Sequence, residues 1–476
     1  MEKVFITHSG NPRLILLFLG WGMDSTPFAS LHKPGYDLLA LSDYSSDSPE
    51  AFADLIPLLD GYREVVVVAW SFGVRIATSF LALYRDSCLI TKAIAVNGTT
   101  AHIHDSQGIP SGIFSGTLAN LSEASVRKFR RRMFSSAGAF QAFIDSAPQR
   151  SFASLESELQ AFSSLRPLDP DCYALLWDLA LISAEDRIFP AANQAEAWRS
   201  VPSVVLPSAP HFPDFAAIFD RHIINKQLVA ARFASASATY AKHADVQTDV
   251  ARKLWDLTAN RLSARGLSPS RILEVGVGSG TLTSLYAPAM AGCHIDLWDI
   301  APVSPSCALP AGASFHTCDA EVAVTSLPAG SVDLLLSAST IQWFHSPSRF
   351  VSALGRVLAP GGIAALAFYG PGTFSEIEAA TGRSLSYPSP DVMVRAAERS
   401  GLTVTDCLSE SLRMDFPDVR AALKHLKYTG VNALSDDDAA ARSAAIKLMR
   451  SFPVQPDGST ALTYNPVYLI LANDII

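Results

Sequence analysis

The chain has 476 residues, 49% of them hydrophobic and 17% charged, with a formal net charge of −8. That length exceeds one ordinary core and predicts two folded domains rather than disorder, and the acidic balance excludes a general nucleic-acid-binding surface, which needs a basic field. The longest early apolar run, at 14–19, falls far short of the ~20 residues of a membrane span, and no basic leader precedes it. Cys88, Cys172, Cys293, Cys307, Cys318 and Cys407 are too dispersed for a zinc site or a disulfide framework. A cytoplasmic protein with no metal and no membrane association is expected.

In the first half, strand-like apolar runs fall at 13–19, 64–69, 92–96, 175–182 and 204–206, with helical stretches between them. This alternation predicts a mostly parallel sheet covered by helices. Residues 109–167 interrupt it with a polar, helical insertion suited to a cap, and Arg127, Lys128, Arg130, Arg131 and Arg132 lie inside it. A second α/β alternation then begins, a helix at 246–262 followed by strands at 271–275, 294–298, 332–337 and 362–368. The predicted domains are 1–225, with its cap at about 109–167, and 226–476, joined near 225–233.

The run Val65-Val66-Val67-Val68-Ala69-Trp70-Ser71-Phe72-Gly73 leads a β-branched strand into a serine between small positions, then into helix-compatible residues. This is the pattern of a nucleophile elbow, with Ala69 replacing the usual first glycine. A serine hydroxyl needs a histidine base and a carboxylate that orients it. Both follow in the order of an α/β-hydrolase, Asp186 after one strand and His211 after another, with Glu185 competing for the acid. The tetrahedral intermediate needs N–H donors, which Trp21, in the glycine-flanked loop after an early strand, and Phe72 are placed to supply. Gly20-Trp21-Gly22-Met23-Asp24, Ala69-Trp70-Ser71-Phe72-Gly73-Val74, Asp186-Arg187-Ile188-Phe189-Pro190 with Asn193-Gln194, and His211-Phe212-Pro213 resemble the BioG-type pimeloyl-acyl-carrier-protein methyl ester esterases of biotin synthesis over residues 1–222. That resemblance implies hydrolysis of a methyl ester on a pimeloyl chain held by acyl carrier protein.

In the second half, Glu274-Val275-Gly276-Val277-Gly278-Ser279-Gly280 closes a strand with an acid and three alternating glycines. The spacing departs from the dinucleotide fingerprint Gly-x-Gly-x-x-Gly and resembles motif I of class I, Rossmann-like methyltransferases that use S-adenosylmethionine. Asp299 ends the next strand, where a carboxylate can accept both ribose hydroxyls; Asp319 and Ala320 fit the acidic turn beside an adenine. Arg232-Phe233, Tyr240, His243, Gln342-Trp343, Phe368 to Glu376, Leu423 to Lys427 with Gly430 and Asn432, and Leu462-Thr463-Tyr464 resemble the malonyl-acyl-carrier-protein O-methyltransferases of biotin synthesis over residues 228–476. The implied reaction is methyl transfer to a malonyl carboxylate. A carboxylate is already a nucleophile, so Tyr240, Gln342 and Trp343 are read as positioning residues.

The two implied reactions act in opposite directions on one kind of carboxyl group, and Arg127, Lys128, Arg130, Arg131 and Arg132 offer a docking face for an acidic carrier protein. Two other readings of the first half remain at this point, a general carboxylesterase or thioesterase and an inactive hydrolase-like module that binds the carrier.

Overall fold

The computed structural model describes residues 1–85, 90–304, 307–382, 384–429 and 448–474; Cys88, Gly430 and Asn432 lie outside the described residues. The chain divides into two compact units, Met1–Phe219 and Asp220–Ile476.

The first unit is built on seven strands, β1 (Glu2–Thr7), β2 (Arg13–Phe18), β3 (Asp37–Ser42), β4 (Glu64–Trp70), β5 (Ile90–Val96), β6 (Leu179–Ser183) and β7 (Ser203–Leu206), in the order β1-β3-β2-β4-β5-β6-β7. All pairings are parallel except that of β1 with β3. Every residue of β2 and β4 is buried, which is why both read as continuous apolar runs rather than alternating ones. Helix α1 (Gly73–Tyr84) returns from β4 with Val74, Ile76, Ala77 and Phe80 buried.

Between β5 and β6 the insertion folds as α2 (Ser111–Ala119), α3 (Glu123–Arg132), α4 (Ala137–Asp145) and α5 (Phe152–Ser164). Ser122, Ser136 and Ser151 start the last three helices by accepting the N–H three residues on, so each satisfies an otherwise orphaned donor. The strand expected at 175–182 begins only at Leu179, because Ala174–Leu176 forms a 3-10 turn that leaves Leu175 half exposed. Strands β1 and β3 were not anticipated.

In the second unit, α6 (Lys226–His243) and α7 (Asp245–Arg265) precede β8 (Arg271–Val275), β9 (His294–Asp299), β10 (Ser314–Thr317), β11 (Val332–Ala338), β12 (Leu358–Tyr369), β13 (Thr403–Ser409), β14 (Leu412–Phe416), β15 (Thr460–Tyr464) and β16 (Pro466–Ala472). The main sheet runs β10-β9-β8-β11-β12-β16-β13, with β16 antiparallel to both neighbours, and β14 pairs with β15 separately. Alternate residues of β8 serve opposite faces, Leu273 and Val275 packing with Val351 and Leu354 and Ile272 with Val250 and Leu254. The result is a methyltransferase-like Rossmann fold. Its strand order reverses between β8 and β11, so a crevice opens beyond their carboxyl ends, where such sheets bind ligands.

Among the described residues, no helix is long and apolar enough to cross a membrane, and no three His, Cys, Asp or Glu side chains are grouped to hold a metal ion.

Candidate functional sites

At the end of β4 the backbone turns so sharply into α1 that Ser71 adopts φ 59°, a left-handed conformation that costs a non-glycine residue about 1–3 kcal/mol. The turn fits only because its neighbours lack side chains. A Cβ on Gly73 would stand 2.5 Å from the carbonyl oxygens of Phe18 and Leu19, and one on Gly98 would stand 2.2 Å from that of Ser71. His211 Nε2 lies 3.0 Å from Ser71 Oγ and its Nδ1 lies 2.8 Å from Asp186 Oδ2. Asp186 is fixed in turn by the N–H groups of Ile188 and Phe189 on Oδ1 and by Gln194 Nε2 on Oδ2. Glu185, the competing acid, is exposed. Ser71 and His211 are buried.

The histidine loop has supports that its own sequence does not announce. Trp70 Nε1 and Asn97 Nδ2 both donate to the His211 carbonyl, at 2.8 and 2.9 Å, and the Phe189 ring stacks on the imidazole at 6.1 Å. Trp21 and Phe72 line a largely apolar cavity with Phe114, Phe129, Arg132 and Leu159. Serine, imidazole and carboxylate thus form one hydrogen-bonded chain, with the residue after the serine lining the cavity, an arrangement able to carry out acyl transfer.

The basic cluster on α3 does not form one solvated face. Arg131 Nη1 donates to the Phe134 carbonyl at 2.8 Å and its guanidinium lies over the Phe140 ring. Arg132 Nη2 donates to the Arg187 carbonyl at 2.7 Å. Burial lowers the Arg130 guanidinium from its ordinary value, a shift the Asp24 charge opposes. Arg127 and Lys128 are exposed.

In the second unit a cleft is lined by Gly276, Gly278, Asp299, Asp319, Ala320, Tyr240 and Trp343. Gly276 has φ 82°, and a Cβ there would stand 1.9 Å from Thr340 Oγ1; at Gly280 it would meet Cys307 Sγ at 2.6 Å. Asp299 accepts the Gly278 N–H on Oδ2 and the Ala301 N–H on Oδ1, each at 2.8 Å. Asp319 starts a short helix by accepting the Glu321 N–H, and its Oδ2 takes Lys226 Nζ at 2.6 Å. Lys226 also reaches Glu321 at 2.5 Å. Burial opposes charge on both partners of that pair, yet the attraction prevails, holding the lysine up and the Glu321 carboxyl down.

Glu274 lies beneath the glycine loop, fully buried, and does not line the cleft. Burial pushes its carboxyl up to about 7, against the hydrogen bond from Thr283 Oγ1. Among the described residues its Oε1 has no hydrogen-bond partner, although the Tyr286 hydroxyl is near enough to favour the charged form. Beside the cleft, a second cavity of about 340 Å³ is lined by Tyr240, Gln247, Gln342, Trp343, Tyr369 and Tyr464 among others. Gln342 Nε2 donates to the Ser339 carbonyl at 2.6 Å while its buried Oε1 has no partner. Burial and the Asp299 charge raise the Tyr240 hydroxyl. A close-approach glycine loop, a carboxylate at the end of β9 and a capped acidic turn together fit a nucleoside. Lys226, Gln247, Trp298 and Thr340 line this site without a local signal that would have singled them out.

Comparison with known proteins bears on both units. The family described as "Pimeloyl-ACP methyl esterase BioG" matches residues 1–217, and that described as "Methyltransferase domain" matches residues 273–366. Over 470 residues the chain is 35% identical to a malonyl-[acyl-carrier protein] O-methyltransferase of Bacteroides fragilis, covering 96% of this chain and 92% of that protein. A malonyl-[acyl-carrier protein] O-methyltransferase of Porphyromonas gingivalis is 31% identical over 252 residues, 52% of this chain and 96% of that one. The crystal structure of BioG from Haemophilus influenzae is 33% identical and covers 44% of this chain and 94% of its own, with a TM-score of 0.38.

Proposed function

Because the chain belongs to the malonyl-[acyl-carrier protein] O-methyltransferase family and carries a BioG domain ahead of its methyltransferase domain, we propose that it performs both the methyl-masking and the unmasking reaction of biotin synthesis in the cytoplasm. The first domain, 1–225, is on this reading an α/β-hydrolase that cleaves the methyl ester of pimeloyl groups on acyl carrier protein. Ser71 Oγ attacks the ester carbonyl while His211 Nε2 takes its proton, Asp186 holds the imidazole, and the N–H groups of Trp21 and Phe72 receive the oxyanion. His211 then protonates the departing methoxide, and a water activated by the same imidazole releases the free carboxylate.

The second domain, 226–476, methylates the malonyl carboxylate. S-adenosylmethionine supplies, when bound, an electrophilic methyl group on a sulfonium. Asp299 would accept the ribose hydroxyls, Asp319 and Ala320 would border the adenine, Gly276, Gly278 and Gly280 would let the backbone approach, and Glu274 would serve the amine side from beneath the loop. Tyr240, Gln342 and Trp343 hold the acceptor in line and away from water, where alignment supplies most of the rate. The carrier protein docks on the basic helix α3, with Arg127, Lys128 and Arg132 as its exposed charges and Arg130 and Arg131 as a partly buried flank.

The observation that carries this reading is the hydrogen-bonded Ser71–His211–Asp186 chain in the same polypeptide as a glycine-lined, carboxylate-bearing nucleoside cleft. The test is rescue of biotin-requiring bacteria that lack either the methyltransferase or the esterase. Wild type restores both strains; Ser71→Ala fails only the esterase-deficient strain and Gly276→Arg only the methyltransferase-deficient one. Failure of the wild type in either strain rejects the corresponding half.

A further inference from the structure

The loop Gly20-Trp21-Gly22-Met23-Asp24 follows β2, yet what fastens it comes from the cap. Trp21 Nε1 donates to the Leu155 carbonyl and Gly22 N–H to Glu158 Oε2, both at 2.9 Å. Asp24 Oδ2 accepts the Gln149 N–H at 2.6 Å, and Arg150 Nη1 reaches the Met23 carbonyl at 3.5 Å. Leu155 and Glu158 lie on α5. Glu158 is 2% exposed, and its other oxygen accepts the Tyr44 N–H at 3.0 Å. Arg150 bridges Glu158 and Asp43 at 2.5 Å each.

A buried ion pair is a poor device for simply holding a helix down, since apolar packing does so without the desolvation cost. What this pair does achieve is positional. The Trp21 side chain and the N–H of the residue after it are both tied to α5, so a shift of α5 is passed to the residue that bears the Trp21 N–H. The residue next to Glu158, Leu159, lines the apolar cavity together with Trp21 and Phe72. Helix α5 therefore touches the cavity with one residue and the oxyanion-donor loop with its neighbour.

We propose that Glu158 is a positioning residue that couples filling of the apolar cavity to alignment of the Trp21 N–H, so that a long acyl chain raises turnover and not merely affinity. The proposal rests on the esterase reading above. A long methyl ester packs against Leu159 and seats α5; a short one leaves those contacts unmade, and the donor is held less well where an ångström of misplacement costs rate steeply. A fused methyltransferase makes such a device useful, because the newly methylated short ester must survive.

The experiment measures kcat and KM of the full chain on carrier-bound methyl pimelate and methyl malonate, for wild type and Glu158→Gln. The wild type turns over the long ester faster in kcat. Glu158→Gln loses on the order of 10- to 100-fold in kcat on the long ester, with KM little changed and a smaller loss on the short one, so the long-to-short ratio of kcat falls toward one. That ratio, read on one preparation, is independent of the folded fraction. Should Glu158→Gln yield no folded protein, the ratio is read on Arg150→Lys, which keeps the charge but cannot bridge two carboxylates in the same way. Equal kcat on both esters in the wild type, or a ratio unchanged in the variant, overturns the proposal while leaving the esterase reading intact. A wild type that hydrolyses neither ester, or a Ser71→Ala variant that still does, overturns the esterase reading itself.

Discussion

Glu274 offers a prediction whose size follows from its surroundings. Burial raises its carboxyl from 4.5 to about 7, which corresponds to about 3 kcal/mol of differential stabilisation of the neutral form. A carboxyl raised in the folded state contributes stability that is complete below its unfolded value and is lost as pH rises through 7. Glu274→Gln presents a neutral side chain of the same shape at every pH. The variant's stability relative to wild type should therefore increase by about 2–3 kcal/mol between pH 5 and pH 8. At about 2–4 °C per kcal/mol for a unit of this size, its Tm gains roughly 5–10 °C on the wild type over that range. Calorimetry without cofactor, following the transition that S-adenosylmethionine shifts in the wild type, reads this directly, since groups common to both proteins cancel. The same variant should bind the cofactor more weakly, trading function for stability. A Tm difference that does not change with pH refutes the assignment of a strained, buried carboxylate.

Gly98→Ala places a Cβ 2.2 Å from the Ser71 carbonyl and is expected to abolish ester hydrolysis while leaving methyl transfer within about 2-fold, measured as methanol release against S-adenosylhomocysteine formation. Lys226→Met leaves Asp319 and Glu321 without their shared cation and should destabilise the second unit by about 3–5 kcal/mol at pH 7. Because Lys226 holds Glu321 below its ordinary 4.5, the wild type loses part of this stability on acidification and the variant does not, which denaturant titrations at pH 4 and 7 resolve. Arg127→Glu with Lys128→Glu should raise KM for a carrier-bound methyl ester about 2- to 10-fold, as expected for two exposed charges, with no change for a free methyl ester and a diminishing effect at high salt.

Much of the Ser71–His211–Asp186 arrangement was legible because its parts sit at the ends of apolar runs. Ser71 follows a run of valines, and Asp186 and His211 follow β6 and β7, so chain order alone brings them within reach. The glycine loop after β8 was legible for the same reason, since a tight strand-to-helix turn needs residues of a particular kind at particular steps. Glu158, Arg150, Asn97 and Lys226 were not, because their roles depend on partners far along the chain. Glu158 meets Gly22 across 136 positions and Lys226 meets Asp319 across 93. The basic cluster was legible as charge but not in its local contacts. Five cations within six positions look like one free face, but Arg131 and Arg132 each donate to a backbone carbonyl and Arg130 is partly buried. Edge strand β1, partly exposed and mixed in polarity, lacks the apolar continuity that betrayed β2 and β4.

The most direct test follows the mass of the acyl group on the carrier protein with one purified preparation of the full chain. With S-adenosylmethionine, malonyl carrier should gain the mass of one methylene group; without it, methyl-pimeloyl carrier should lose the same mass with release of methanol, and Ser71→Ala should abolish only the second change. Release of free carrier thiol in place of methanol, or loss of the methyl group in the Ser71→Ala variant, would contradict the account.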